Sequence, residues 1–209
     1  FTHQEWQKEL YELLEAVEGN LWQLKPKLKQ KVDCLVHPSC KADQLFMLSS
    51  EISTIFKRNG KCYRVHSILL APDFESVFKI TARLSKIGNL VHDGRPILGM
   101  DVKDLLKIVL DASPDCMLIP AHIWTPWFGL LGSKSGFNSL EAAFEELRPH
   151  IYAVEKGLSS NFMMNAMVSE LDSVAVLCNS DAHSAQNLGR EANLMNIELS
   201  YLSVITALR

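Results

Sequence analysis

Short apolar runs and helical stripes alternate along most of this chain, and that alternation constrains its fold more than any other feature. Residues 45–71 read as strand, with Asn59-Gly60 set between the runs 52–57 and 62–70. An Asn-Gly pair accepts the positive φ values of a tight turn, so the two runs are expected to pair as a hairpin. Beyond Pro72 the period changes repeatedly: a striped helix over 73–87, a loop over 88–100, a helix capped by Asp101, and a buried strand over 116–120. A long loop through Trp124, Trp127 and Gly136 leads to a helix near 139–147, a strand at 151–154, a helix near 162–171, a strand at 174–178 and a last helix from about Ser200. Strands alternating with helices predict an α/β fold with a parallel sheet, either a barrel or a doubly wound sheet.

The N-terminal part is less regular. Thr2-His3-Gln4-Glu5 fits a capping box, and Trp6, Leu10, Leu13, Leu14 and Val17 follow at helical spacing until Gly19-Asn20, which predicts one amphipathic helix. Residues 25–43, with lysines at 25, 27, 29 and 31, predict a helix end and an irregular loop whose charges face solvent.

Composition narrows the function classes. The 209 residues suit one large domain or one domain with an appendage, and 47% hydrophobic against 22% charged residues excludes disorder over the bulk. A net charge of −3 excludes a strongly basic, non-specific nucleic-acid binder, so any DNA contact must be local. No apolar run approaches the ~20 residues of a membrane span. The five cysteines, Cys34, Cys40, Cys62, Cys116 and Cys178, are odd in number, and two lie in strand-like runs, which points to a reducing compartment and hence the cytoplasm. The sequence opens Phe1-Thr2-His3, with neither an initiator Met nor a signal peptide, and reads as a piece of a longer chain.

Metal-ligand side chains follow the expected strands. Glu51 comes after 45–50, His122 after 117–121, Glu155 after 151–154, and Asp181 with His183 after 174–178, while His66 lies in the second hairpin strand. In a βα barrel those strand ends form one rim, where residues distant in sequence converge. Two histidines, an Asp-x-His pair and a glutamate form a mixed N/O set suited to Zn2+, Mn2+ or Fe, and to hydrolysis by a metal-activated water. Taken singly, each histidine reads as a satisfied core or surface residue; it is their occurrence together that favours a metal site. His37, His92 and His150 read as solvated, and Cys34-x2-His37-x2-Cys40 offers three ligands where a structural zinc site needs four. Trp124, Trp127 and Phe128, in the loop after His122, either stack on an unpaired base or pack beneath the loop. The segments 133–136 and 157–160 supply hydroxyls, backbone N–H groups and Lys134, a chemistry that grips phosphate.

Several longer motifs carry a resemblance. Ser49-Ser50-Glu51-Ile52-Ser53-Thr54, Arg64-Val65-His66, Asp93-Gly94-Arg95-Pro96-Ile97-Leu98-Gly99, Pro120-Ala121-His122-Ile123-Trp124-Thr125-Pro126-Trp127-Phe128, Glu155 with Gly157-Leu158-Ser159-Ser160, Asn179-Ser180-Asp181-Ala182-His183 and Leu188-Gly189-Arg190-Glu191-Ala192-Asn193 occur in this order. Together they resemble endonuclease Q, a branch of the polymerase and histidinol phosphatase (PHP) superfamily, over nearly the whole chain. The resemblance implies a distorted, TIM-like βα barrel over residues 1–209, here lacking its first strand, with two or three divalent metal ions. Zinc is the first expectation, manganese or magnesium the alternatives. It implies a repair nuclease that nicks DNA on the 5′ side of deaminated bases (hypoxanthine, uracil) or of abasic sites.

By match to the superfamily motifs, Glu51 would be a bridging carboxylate, His66 and His122 would hold a metal beside it, and Asp181 and His183 would close the cluster. His3 resembles the histidine of the second motif, and catalysis would fall to Asp181, His183 and Glu51. Arg95, Trp124, Trp127, Lys134, Ser159 and Ser160 would border the DNA. The first His-x-His motif and the cysteine-containing region that follows the barrel have no counterpart, so the chain is expected to be an interior fragment. The rival readings are a small-molecule phosphoesterase of the same superfamily and a barrel that binds damaged DNA without cutting it.

Overall fold

A computed structural model describes residues 3–91 and 95–209, with side chains from Gln7 onward. The capping box at Thr2, the side chain of His3, and His92, Asp93 and Gly94 fall outside the described residues.

Helix α1 (His3–Leu13) stops earlier than its apolar spacing predicts. The next residues form a hairpin of β1 (Leu14–Val17) and β2 (Leu21–Leu24), with Leu14 opposite Leu24 and Val17 opposite Leu21. Gly19 (φ 77°) and Asn20 (φ 58°), which read as a helix stop, make its turn instead. A four-residue run does not distinguish a helical from a strand period, and here the pairing partner decides; as a strand it sends Leu14 and Val17 to opposite faces, against different clusters. Helix α2 (Pro26–Asp33) has Pro at its start, and β3 (Leu45–Phe46) completes a three-stranded antiparallel sheet by pairing with β2.

The central hairpin joins β4 (Leu48–Arg58) to β5 (Lys61–Ala71) through Asn59 (φ 51°) and Gly60 (φ 80°), as their sequence predicts. Helix α3 (Phe74–Leu84), strand β6 (Ile97–Leu98), helix α4 (Val102–Ala112) and strand β7 (Met117–Pro120) follow. The caps are legible in the sequence: Asp73 accepts the Ser76 N–H and Asp101 accepts the Lys103 N–H. Then come α5 (Leu140–Phe144), β8 (Ala153–Glu155), α6 (Phe162–Ala166), β9 (Ala175–Leu177) and α7 (Tyr201–Leu208).

The sheet order corrects the expectation of a purely parallel sheet. The four-stranded sheet runs β6-β4-β5-β7; β4 and β6 are parallel, and β5 lies antiparallel to both β4 and β7. Strands β8 and β9 form a separate parallel pair. Among the described residues no sheet closes on itself. The fold is mixed α/β, and no described helix is long and apolar enough to cross a membrane.

Strand alternation gives the central sheet two covered faces. Ile52, Val65, Leu69 and Leu118 pack on one side with Leu84, Leu105, Leu106 and Phe144 from α3, α4 and α5. Leu70, Met117 and Ile119 pack on the other with Leu177 of β9 and Tyr201, Ile205 and Leu208 of α7. His66 lies two residues before Ile68 and so faces the second side, where that apolar layer ends.

Candidate metal centre

The register of the central hairpin builds half of the site. Ser53 is directly opposite His66, so Glu51, two residues earlier on the same face, is its diagonal neighbour. Glu51 Oε1 lies 3.0 Å from His66 Nδ1. Glu51 is thus inside β4 rather than just past a strand end; pairing with β5 begins at Leu48 opposite Ala71 and carries the strand through Ser49 and Ser50.

His122 completes the group from β7. Ala121 donates its N–H to His66 O, which continues the strand pairing, and the backbone then turns at His122 with φ 31°. A non-glycine residue in that region is strained and needs support. Ile123 N–H donates to Glu155 O, and both the N–H and hydroxyl of Thr125 donate to His122 O. Gly157 (φ 64°) lies so close that a Cβ there would stand 2.5 Å from His122 Cβ. Only glycine meets both demands.

Three donor atoms converge. His66 Nδ1 and His122 Nε2 are 2.8 Å apart, and His122 Nε2 is 3.8 Å from Glu51 Oε1. Four ligands at zinc-like bond lengths sit about 3.4 Å from one another in a tetrahedral shell. The donor set and its spacing therefore fit a divalent ion held by Glu51, His66 and His122. Both histidines are buried.

The electrostatics are tightly balanced. Burial would raise the Glu51 carboxyl, but the His66 hydrogen bond and the charges of His66, His122 and Arg95 hold it below its ordinary value. Burial, with the charges of Arg95 and His122, holds His66 below its ordinary value against the pull of Glu51. Burial also opposes charge on His122, yet the hydrogen bond to Glu155 and the charges of Glu51, Glu155 and Asp181 raise it. Arg95 reaches the cluster directly, 3.1 Å from Glu51 Oε1.

The other expected residues are placed as follows. Asp181 (φ 45°) is half-buried and near enough to act on His122 through its charge, but it is not in the three-donor group. The His183 side chain is 74% exposed, its Nδ1 donates to Asp181 O, and it is not in the three-donor group. Trp124 packs against the first core and donates its indole N–H to Asn165 Oδ1, so it is anchored within the protein. Trp127 is 52% exposed with the Arg64 guanidinium 4.9 Å above its ring, while the Phe128 ring lies 4.4 Å from that of His66, tilted by 30°. Lys134 and Ser159 are exposed, whereas Ser160 is buried and donates to Lys156 O. Cys34, His37 and Cys40 form no three-ligand group; His37 Nδ1 instead pairs with Ser39. Arg64 and Asn179 stand in the motifs that carry the resemblance but receive no role from the sequence, because a lone cation beside aromatics and an amide after a strand have no spacing signature.

No family model matches the chain. Over 82 residues it is 43% identical to the uncharacterized protein YqxK of Bacillus subtilis (strain 168), a match covering 39% of this chain and 20% of that protein. By structure it is similar to the lesion-specific endonuclease PfuEndoQ of Pyrococcus furiosus, with TM-score 0.77 and 24% identity over 98% of this chain and 44% of that one. It is also similar to endonuclease Q in complex with a 27-mer duplex bearing an abasic lesion at the active site, with TM-score 0.76, 23% identity and coverage of 98% and 45%. The fold is endonuclease Q-like, and the chain spans less than half the length of each of these proteins.

Proposed function

We propose that residues 1–209 form a PHP-like, metal-dependent nuclease domain of a cytoplasmic DNA repair endonuclease, which nicks the phosphodiester 5′ of a deaminated base (hypoxanthine or uracil) or an abasic site. The observation that carries this reading is the convergence of Glu51, His66 and His122 on one point of an endonuclease Q-like fold. The strands that hold them correspond, on this reading, to part of a distorted βα barrel, with zinc as the first candidate metal.

A divalent ion bound by these donors supplies a water of lowered pKa and positive charge against the phosphodiester oxygens. The chain's own residues then have separable tasks. Glu51, held anionic by its neighbours, offsets the cation charge in a buried setting. Arg95, a planar donor on the rim, suits a phosphate oxygen beside Glu51. Trp127 and Arg64 present a stacked aromatic and cation to solvent, a surface fitted to an unpaired base and its backbone. Asp181, near enough to His122 to act on it through its charge, and His183, two residues further on, are assigned to the same centre as the catalytic pair.

The test incubates the full-length protein with labelled duplexes carrying uracil, hypoxanthine or an abasic site, and maps cuts on a denaturing gel with and without chelator. Metal-dependent cutting 5′ of the lesion supports the reading. Hydrolysis of a small phosphate monoester alone would replace it with a small-molecule phosphoesterase, and lesion binding without cutting would replace it with a non-catalytic barrel.

A further inference from the structure

We propose that Glu155, held in place by Asn179 and Asn193, is a positioning residue that fixes the tautomer and orientation of His122 so that its Nε2 lone pair is presented to the metal. This rests on the metal-binding reading above for its purpose, but not for its geometry.

Two backbone amides, whose donor character is beyond choice, set the polarity of the network at its two ends. At one end Cys178 N–H donates to Asn193 Oδ1 over 2.8 Å. Asn193 Nδ2 must then be the donor to Asn179 Oδ1, 2.9 Å away, and it also donates to Cys178 O. That leaves Asn179 Nδ2 to donate to Glu155 Oε1 over 2.9 Å. At the other end His122 N–H donates to Glu155 Oε2 over 2.8 Å. The whole chain of amides therefore points its donors at Glu155, which is 3% exposed and accepts from both sides.

His122 Nδ1 lies 3.3 Å from the same Oε2. A carboxylate is an acceptor only, so the ring nitrogen facing it carries a proton, and in the neutral ring Nε2, which faces His66 and Glu51, is the unprotonated nitrogen. Glu155 is outside the three-donor group, and both its oxygens are engaged: Oε1 accepts from Asn179, and Oε2 accepts the His122 backbone N–H and lies beside its ring Nδ1. It grips His122 at both backbone and ring, at the residue whose backbone is strained and against which Gly157 is wedged. Partners of this kind fix ring orientation in metal sites, and losing one costs roughly 10- to 100-fold in metal affinity.

The experiment uses the full-length protein and Zn2+ alone as probe. Long-range 1H–15N spectra of the metal-free protein report the His122 tautomer, and calorimetric titration reports Zn2+ affinity, for the unaltered protein, Glu155→Gln and Asn179→Ala. We expect Nδ1–H in the unaltered protein, mixed tautomers in both variants, and Zn2+ affinity weakened about 10- to 100-fold by Glu155→Gln, less by Asn179→Ala. If Glu155→Gln does not fold, Asn179→Ala decides, since it leaves the carboxylate in place. An unprotonated Nδ1 in the unaltered protein, or unchanged tautomer and affinity in a folded variant, overturns the assignment. If Zn2+ does not bind the unaltered protein while the Nδ1–H tautomer is present and shifts in the variants, the positioning role stands and the metal-binding reading falls.

Discussion

His66 Nδ1 and His122 Nε2 approach to 2.8 Å with their rings nearly perpendicular, at 86°. Two imidazole nitrogens this close, both facing the Glu51 carboxylate, share either a proton or a cation. Adding Zn2+ to chelator-treated protein is therefore expected to raise its melting temperature, by the equivalent of about 2.7 kcal/mol when free metal is a hundredfold above Kd. His66→Ala and His122→Ala should abolish most of that shift. Thermal unfolding with and without metal is the measurement, and an unshifted melt in the unaltered protein would count against a site here.

Gly157 carries His122 on its open face, where an added Cβ would lie 2.5 Å from His122 Cβ and φ is 64°. Gly157→Ala combines backbone strain with a clash and is expected to cost at least about 2 kcal/mol of stability. Metal affinity should fall with it, because the strained His122 backbone must move. Denaturant unfolding and metal titration of one preparation test both effects.

Trp124 and Trp127 sit three residues apart and are expected to behave oppositely. Trp124→Ala removes a ring packed on the core and its bond to Asn165, and should destabilise the fold by about 3 kcal/mol. Trp127→Ala removes a half-exposed ring, should change stability by no more than about 0.5 kcal/mol, and should weaken binding to lesion-bearing DNA by about 1–3 kcal/mol. Unfolding curves and fluorescence anisotropy separate the two, and equal loss of DNA affinity with both folded variants would reject the division.

Cys116 and Tyr201 predict an alkaline limit to stability away from the metal centre. Burial pushes the Cys116 thiol from 9.0 up to about 11, and burial with the Cys116 and Asp115 charges pushes the Tyr201 phenol above 10.0, while its hydroxyl donates to Asp115 O. Both folded-state values are raised, so the unfolded chain releases protons that the folded chain retains. Stability is full below about pH 9 and falls as pH rises towards 11 and beyond. Cys116→Ala should flatten the fall above pH 9.0 in guanidinium titrations.

The sequence by itself determined the elements with local signatures. Asn59-Gly60 specified its hairpin because only a positive-φ turn joins two adjacent strands, and Asp73 and Asp101 specified helix starts because their side chains satisfy backbone donors nearby. It also marked Glu51, His66 and His122 as metal-type residues, since that chemistry resides in residue type and order. Tertiary structure alone decided the rest, because pairing register and loop closure depend on partners distant in the chain. The residues after Leu13 became strand through Leu21–Leu24, and Glu51 entered the site from within a strand through the register that sets Ser53 against His66. The side chain of Trp124 turned inward to Asn165 while that of Trp127 remained at the surface. The polarity of the Asn193–Asn179–Glu155 network, which selects the nitrogen His122 presents, arises only when backbone amides at Cys178 and His122 are brought to its two ends.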